Sequence, residues 1–242
     1  MCEYNTYVCE YKLLPEHTTR ESCMTFFGGM TEKDDLQELK NVKLLGRWAA
    51  VGEGKGYCVA QAKCNKDMQE WLTNWVTMAD IKVMPCLDDN QQRELILGSL
   101  PSYRVTFDKV NSSALPNQSL YWIQYQFKPG SEQMGFNAFA SLTEEEDKSD
   151  SGKCTPFGRW HIPSLGKGFA IASSPSVMDL YKWAYNWGEL CNVEIIPVTE
   201  DKETRSIISN GFGFQIKYNK LMEELSQYSN KNNNNNNCCY PN

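Results

Sequence analysis

Two stretches of the chain repeat one another. Residues 46–75 read GRWAAVGEGKGYCVAQAKCNKDMQEWLTNW, and residues 158–187 read GRWHIPSLGKGFAIASSPSVMDLYKWAYNW. Both contain Gly-Arg-Trp, then Gly-Lys-Gly, then Trp-x-x-Asn-Trp, with identical spacing and 112 positions apart. Pro85 and Pro197 stand at the same offset. Self-similarity at one long offset is typical of a duplicated structural unit. The sequence therefore predicts two copies of one small domain in tandem.

The repeat extends beyond these stretches in both directions. Upstream, Tyr7 matches Tyr121 after a shift of two residues. The predicted limits are a first copy at 4–98, a linker at 99–117, a second copy at 118–210, a C-terminal extension at 211–227 and an Asn-rich tail at 228–242. Within the linker, Arg104–Val110 is a candidate short strand. The tail is expected to be disordered, because an asparagine run has little apolar surface to bury.

Each copy predicts the order β-α-β-β-α-β. In the first strand of the second copy, Tyr121 and Ile123 alternate with Trp122 and Gln124, which places the two pairs on opposite faces. The fourth strand is expected to end at its proline, because proline is excluded from strand centres. This order is the ferredoxin-like unit, whose helices cover one sheet face. We therefore expect an α+β fold of two ferredoxin-like βαββαβ repeats, packed sheet to sheet as a pseudo-dimeric α/β barrel.

The repeated pattern resembles an uncharacterised bacterial family, domain of unknown function 3303, within the dimeric α/β-barrel superfamily. The second copy fits best, through Lys128-Pro129-Gly130 and Val193–Val198, whereas the first departs at Leu14-Pro15-Glu16 and Met84-Pro85-Cys86. Family members are usually single copies that would pair as dimers, so the resemblance implies an intramolecular pair and a monomeric chain. It implies no activity. The wider superfamily includes haem peroxidases, cofactor-free monooxygenases and polyketide cyclases, so fold alone selects no function.

Composition argues against several classes of function. The net charge is −6 and no basic stripe is present, so a nucleic-acid partner is not expected. No apolar run approaches the ~18 residues that span a bilayer, and residues 1–20 lack the apolar core of a signal peptide. We therefore expect a cytoplasmic protein without a membrane partner. With ten cysteines, no CxxC pair and two histidines, neither a disulfide framework nor a zinc site is expected, and no cofactor is predicted.

Nine positions are candidate ligand-binding residues. They lie on the bare sheet face or in the two Gly-Arg-Trp segments, and they are Arg159, Trp160, His161, Glu194, Gln124, Arg47, Trp48, Glu10 and Lys82. The polar groups would form either a ligand-holding cavity or a hydrated, salt-bridged interface, because unpaired buried charges are costly. Arg47 and Arg159 would either hold a carboxylate or planar ligand beside their tryptophans, or pair with Glu10 or Glu194.

The second copy is the better candidate for a site between the sheets. It has His161 where the first copy has Ala49. The Gly-Lys-Gly segments lack the full phosphate-loop pattern and predict glycine-containing turns. The leading hypothesis is a non-enzymatic, cytosolic small-molecule-binding or interaction protein. The alternative is a cofactor-free monooxygenase- or cyclase-type enzyme acting on a small organic molecule in the barrel cavity, with His161, Tyr125 and Glu194 as acid–base candidates. The sequence leaves open whether the chain is an enzyme.

Overall fold

A nine-stranded antiparallel sheet lies at the centre of the chain in this computed structural model, which describes residues 4–14, 17–107, 110 and 113–210, without the side chains of 17–21. The strands are β1 (Asn5–Leu13), β2 (Lys43–Ala50), β3 (Lys55–Ala62), β4 (Ala79–Asp88), β5 (Ser119–Phe127), β6 (Thr155–Ile162), β7 (Lys167–Ser174), β8 (Cys191–Pro197) and β9 (Thr199–Glu200). The helices are α1 (His17–Gly29), α2 (Glu32–Leu39), α3 (Asn65–Leu72), α4 (Asp89–Leu97), α5 (Glu132–Ser141), α6 (Glu144–Ser151) and α7 (Val177–Asn186). Residues 201–210 are also helical. The extension and tail predicted at 211–227 and 228–242 lie outside the described residues.

The strand order is β8-β5-β7-β6-β4-β1-β3-β2-β9, so each copy contributes four strands in the same internal order. Two short pairings join the copies. At one, Asp88 of β4 lies opposite Trp160 of β6. At the other, Glu200 of β9 lies opposite Trp48 of β2. Glu200 lies 112 positions after Asp88, and Trp160 lies 112 positions after Trp48. The two junctions are therefore equivalent within the repeat.

Strand β4 is longer than predicted. The expectation that it ends at Pro85 is wrong, because the strand pairs with β1 on both sides of the proline, through Met84 and Cys86. Among the described residues, β4 has a partner on its other side only at Leu87 and Asp88. Proline is tolerated at such an unpaired edge. The extra residues carry β4 into contact with the second copy.

The helices also differ from the prediction. The first predicted helix of each copy is two helices, and Thr31 and Thr143 start the second of them with equivalent capping boxes. Each copy ends in a further helix that was not predicted, α4 in the first copy and residues 201–210 in the second. The candidate strand at 104–110 is not a strand over residues 104–107. There the backbone of Val105 pairs instead with the side chain of Asn90. None of the described helices combines the length and apolar character needed to cross a membrane.

Aromatic side chains fill the space between the two copies. Trp48 and Trp122 are fully buried, with ring centroids 5.5 Å apart, and Trp160 lies 6.2 Å from each. Tyr57 stacks on Trp122 at 4.7 Å, and Phe169 packs beside it at 5.4 Å. The predicted alternation in β5 is confirmed, because Trp122 lies in this central cluster while its neighbours pack on the helix side.

The glycines of the repeated motifs make these packings possible. A side chain on Gly158 would overlap the ring of Trp160, two residues along the same strand face. A side chain on Gly168 would overlap the ring of Tyr125 on the neighbouring strand. Gly166 adopts a positive φ of 57° and ends the short turn between β6 and β7. The first glycine of the Gly-Lys-Gly segment thus ends the predicted turn, whereas Lys167 and Gly168 already belong to β7, where Gly168 makes the close contact with the ring.

Candidate ligand-binding site

Neighbouring residues of β6 point to opposite faces of the sheet, as they must in a strand. Trp160 therefore enters the central aromatic cluster, whereas Arg159 and His161 lie on the side covered by helices. We expected these three residues and Glu194 around one ligand between the sheets. Arg159 and His161 instead lie on the opposite sheet face from Trp160 and Glu194. The same separation occurs in the Gly-Arg-Trp segment of β2.

Arg159 is clamped between two carboxylates. Its Nη1 and Nη2 donate to the two oxygens of Asp147 on α6 at 2.7 Å each, and its Nε donates to Asp89 of α4 at 2.8 Å. Asp89 is only 1% exposed. The predicted pairing with Glu10 or Glu194 is wrong, because those acids lie on the other sheet face. Since α4 is the last helix of the first copy and packs on α5 and β6 of the second, Arg159 joins the two copies.

Arg47 forms the equivalent clamp in the first copy. Its Nε and Nη2 donate to Asp201 at 2.8 and 2.7 Å, and Nη2 also donates to Asp35 at 3.0 Å. Arg205 adds a second cation, which donates to Asp35 at 2.6 Å. All four residues have counterparts 112 positions away in the other copy. Each arginine thus fixes its sheet to the last helix of the opposite copy.

His161 extends this network only in the second copy. Its Nε2 lies 2.7 Å from Asp89, and its Nδ1 lies 2.7 Å from the hydroxyl of Tyr125. Burial alone would raise the pKa of Asp89, but the Arg159 charge and the His161 hydrogen bond outweigh burial and bring this pKa below its ordinary value. The Asp89 carboxyl is therefore ionised. An ionised Asp89 accepts a hydrogen bond from Nε2–H, and in the neutral imidazole this leaves Nδ1 as the acceptor for Tyr125. Burial raises the pKa of Tyr125, so its hydroxyl keeps the hydrogen that it can donate to Nδ1. In the first copy Ala49 replaces the histidine.

A cavity of about 90 Å³ lies next to this hydrogen-bond chain, between the sheet and the helices of the second copy. Its apolar walls include Phe127, Phe136, Phe139, Leu180, Trp183 and Trp187, and its polar lining includes Gln92, Tyr125, Arg159 and His161. Phe136, Trp183 and Trp187 are partly exposed, which places the cavity close to the surface beneath α5 and α7. The walls are mostly aromatic, with hydrogen-bonding groups on one side.

Gln92 is the most unusual group in this lining. The residue is 1% exposed, and neither of its amide atoms has a hydrogen-bond partner among the described residues. The first copy has a matching cavity of about 90 Å³ that is lined by Tyr11, Arg47 and Thr204. Thr204 takes the place in this cavity that Gln92 has in the second-copy cavity. The Thr204 hydroxyl is paired with the hydroxyl of Thr199 at 2.8 Å. The cavities have similar volumes and differ in their polar groups.

The Trp-x-x-Asn-Trp motif forms one wall of the cavity. The indoles of Trp183 and Trp187 both donate to Asp150 at 2.8 Å, and Asn186 donates to the same carboxylate at 3.0 Å. In the first copy the two tryptophans of the motif both donate to Glu38. The motif therefore fixes the helical wall to α6 or α2, in addition to the packing role that the sequence suggests.

The polar candidates on the other sheet face meet in a cleft of about 520 Å³ at one end of the space between the copies. Glu10, Lys82, Gln124 and Glu194 all line it. Glu10 pairs with Lys167 of the opposite copy at 3.0 Å, and Gln124 donates to Glu194. The cleft thus contains the inter-copy ion pair that one of the two interpretations expected.

Sequence reasoning missed Asp89, Gln92 and Asp147. A signal for the two aspartates was present, because Asp35 matches Asp147 and Asp89 matches Asp201 at the offset of the arginines. Gln92 has no such signal, since its counterpart is a threonine. Its importance becomes visible only from the way α4 packs on the second copy.

Comparison with solved structures identifies the fold as that of the dimeric α/β-barrel proteins. The chain is similar to a mutant chlorite dismutase from Candidatus Nitrospira defluvii in complex with cyanide, with 9% identity, a TM-score of 0.52 and coverage of 84% of this chain and 95% of that one. A second mutant of that enzyme gives 9% identity, a TM-score of 0.51 and coverage of 85% and 96%. Identity this low establishes the fold alone.

The family model described as domain of unknown function 3303 matches residues 5–100 and again residues 119–212. The chain belongs to this family and carries two tandem copies of its domain. This confirms the resemblance that the repeated motifs indicated. No curated protein sequence matches the chain.

Haem, which the wider superfamily suggests as a cofactor, does not fit the second-copy cavity. Both ring nitrogens of His161 are hydrogen-bonded, so neither is available as an axial ligand. A cavity of about 90 Å³ is also far smaller than a porphyrin. Within the described residues, no group of three or more His, Cys, Asp or Glu side chains is placed to hold a metal ion.

Proposed function

We propose that the chain binds a small, largely apolar molecule in the helix-side cavity of the second copy. The observation that carries this proposal is Gln92, whose buried amide lines the cavity without a partner among the described residues. A buried polar group left unpaired costs about 1–3 kcal/mol. A ligand that offers a carbonyl, hydroxyl or amine to Gln92 would recover that energy.

The cavity also restricts the ligand's size and shape. A cavity of about 90 Å³ is smaller than the apolar cavity of ~150 Å³ that admits benzene, so it would enclose no more than one ring or a short branched chain. Aromatic walls favour a flat molecule. The inter-copy cleft is less suited, because its charged groups are partly paired and solvent-exposed. Ligand recognition therefore combines apolar contact on most sides with hydrogen bonds to Gln92 and Tyr125.

Binding can be tested with benzyl alcohol and benzaldehyde, followed by calorimetry and by the fluorescence of Trp183 and Trp187. Gln92→Leu should weaken binding about tenfold, while the free protein keeps or gains stability, because the substitution removes an unpaired amide. Thr204→Val makes the corresponding change in the first-copy cavity and should leave binding unchanged. Loss of stability in Gln92→Leu, or equal binding by both variants, would refute the proposal.

One observation favours the alternative of a cofactor-free monooxygenase- or cyclase-type enzyme. The chain Tyr125–His161–Asp89 borders the cavity, and an imidazole held by a carboxylate is a common general base. Turnover of a small organic substrate, lost in His161→Ala, would establish this alternative over simple binding.

We further propose that the copies are ferredoxin-like repeats with limits near 4–98 and 118–210, which face each other as a pseudo-dimeric barrel in a monomeric chain. The equivalent junctions β4–β6 and β9–β2 support this arrangement. Light scattering should give a mass near 27.7 kDa, and a value twice as large would contradict the monomer. A cytosolic location is supported by the seven described cysteines, all of which are free thiols.

A further inference from the structure

We propose that the second-copy cavity takes ligands with an acidic hydroxyl, such as a phenol or an enol, and that Tyr125, His161 and Asp89 remove the proton of that hydroxyl. This inference rests on the binding site proposed above and gives it a ligand class and a proton-transfer activity. Four points support it: the direction of the hydrogen bonds, the route of the proton, the charge of the surrounding cluster, and the contrast with the first copy.

The first step concerns hydrogen-bond direction. Asp89 is ionised and accepts from Nε2–H of His161, so in the neutral imidazole Nδ1 is left as the acceptor for the Tyr125 hydroxyl 2.7 Å away. The Tyr125 hydroxyl has therefore already used its hydrogen. Its oxygen can offer only a lone pair to a ligand in the cavity. A ligand that contacts this oxygen favourably must donate a hydrogen bond, so the site selects for a hydroxyl or similar donor, and Gln92 is available for a second polar contact.

The second step is the proton transfer itself. The O–H bond of the ligand breaks as its proton passes to the Tyr125 oxygen, while the hydrogen of Tyr125 moves to Nδ1 of His161. The products are the ligand oxyanion and a His161 imidazolium whose Nε2–H remains bonded to Asp89. The new tyrosine O–H donates back to the oxyanion. Tyr125 is the residue that touches the ligand, and Asp89 positions His161. No oxidant, metal or further reactant takes part.

The third step is the balance of charge around His161. The charged groups linked to His161 are Asp89, then Arg159 and Asp147 beyond it, and Arg93 across the ring of Phe139, two of each sign. With His161 neutral this cluster has no net charge. Asp150 also lines the cavity, where Trp183, Trp187 and Asn186 donate to it. Proton transfer adds a cation and an anion together, so the buried cluster stays neutral, whereas protonation of His161 from solvent would leave it with an unbalanced positive charge. The site is thus built to gain a proton together with a ligand anion.

The first copy supplies the internal contrast. It retains Tyr11, Arg47 and Asp201 at the matching positions, but Ala49 takes the place of the imidazole. Its cavity can enclose a molecule of similar size without a group that accepts the tyrosine proton. The proposed activity is therefore confined to one cavity of the pair.

The probe is 4-nitrophenol, whose anion is yellow and whose neutral form is not. Binding is measured by calorimetry, and proton transfer is measured separately as the yellow band of the bound probe. We expect the pKa of bound nitrophenol to fall by about one unit or more, a tenfold gain in anion at a pH below the pKa of the free probe. Tyr125→Phe and His161→Ala should lose this shift, whereas Tyr11→Phe, the matched change in the first copy, should keep it.

Nitrogen-detected NMR of the histidines gives a second readout. The chain has two histidines, so the spectrum of His161→Ala identifies the His161 signals. Both His161 nitrogens should shift to imidazolium values when nitrophenol binds. Nitrophenol bound in its neutral form would overturn the inference and leave the proposed binding function intact. Binding of benzyl alcohol without binding of nitrophenol would also overturn it, and failure of every probe would refute both proposals.

Discussion

Arg159→Ala is expected to destabilise the fold strongly, because Arg159 is buried between two buried carboxylates. The side chains of Asp89 and Asp147 are 2% and 7% exposed. Without the guanidinium, each carboxylate keeps one side-chain partner, His161 or Tyr103. Removing one member of a buried ion pair costs about 3–5 kcal/mol. At about 2–4 °C per kcal/mol for a chain of this size, the melting temperature should fall by roughly 6–20 °C.

Arg47→Ala is the matched control in the first copy. Its carboxylate partners Asp35 and Asp201 are about one-fifth exposed, and Arg205 also pairs with Asp35. Solvent and the second arginine therefore compensate part of the loss, and we expect a cost of about 1–3 kcal/mol. Both variants would be unfolded with urea and with heat at pH 7 and followed by circular dichroism.

A double-mutant cycle separates the ion pair from the loss of packing. Arg159→Ala combined with Asp147→Ala should cost less than the sum of the single changes, with a coupling of about 0.5–3 kcal/mol. A loss of less than about 1 kcal/mol in the free energy of unfolding of Arg159→Ala would contradict this prediction. A larger loss in Arg47→Ala than in Arg159→Ala would contradict it as well. Either result would mean that the clamp does not hold the two copies together.

Three further predictions follow from other features. Gly168→Ala should cost about 1–3 kcal/mol, since the added methyl overlaps the ring of Tyr125, whereas Gly52→Ala, which meets no atom within 4 Å, should have little effect; equal melting temperatures would contradict this. The pKa of Asp89 in the folded protein lies below its value of about 3.9 in the unfolded chain. Ionised Asp89 therefore stabilises the fold fully above a pH of about 3.9, and this stabilisation is lost as the pH falls through the folded-state pKa. Thermal melts from pH 6 to 2 should therefore decline more steeply for the parent than for Asp89→Asn, and parallel curves would argue against it. Deletion of residues 228–242 should leave the melting temperature within about 2 °C of the parent value, and a larger fall would show that the tail docks.

Much of the fold was predictable because it is encoded locally and twice. The motif spacing gave the duplication, and the alternation in β5 gave the faces of that strand. The path of β4 beyond Pro85 was not predictable in the same way. It depends on which edge of the strand has a partner, and that partner comes from β6, about 70 residues further along the chain.

The candidate site was predictable only in part. His161 was recognised as the residue that distinguishes the second copy. Its neighbour Trp160 was grouped with it, although adjacent residues of a strand face opposite ways. The acidic partners of the arginines lie on α4, α6 and their counterparts, and two of those four helices were not expected. Gln92 and the cavity arise from packing between copies, which no local pattern records.

The tandem connection also has an evolutionary consequence. When two identical chains associate, every substitution appears in both halves, so a new side chain that benefits one cavity must be tolerated in the other. A fused gene removes that constraint. Here an imidazole is present in one half and a methyl group in the other, beside a tyrosine and an arginine that both halves share. One half can thus act as scaffold while the other carries a chemistry of its own.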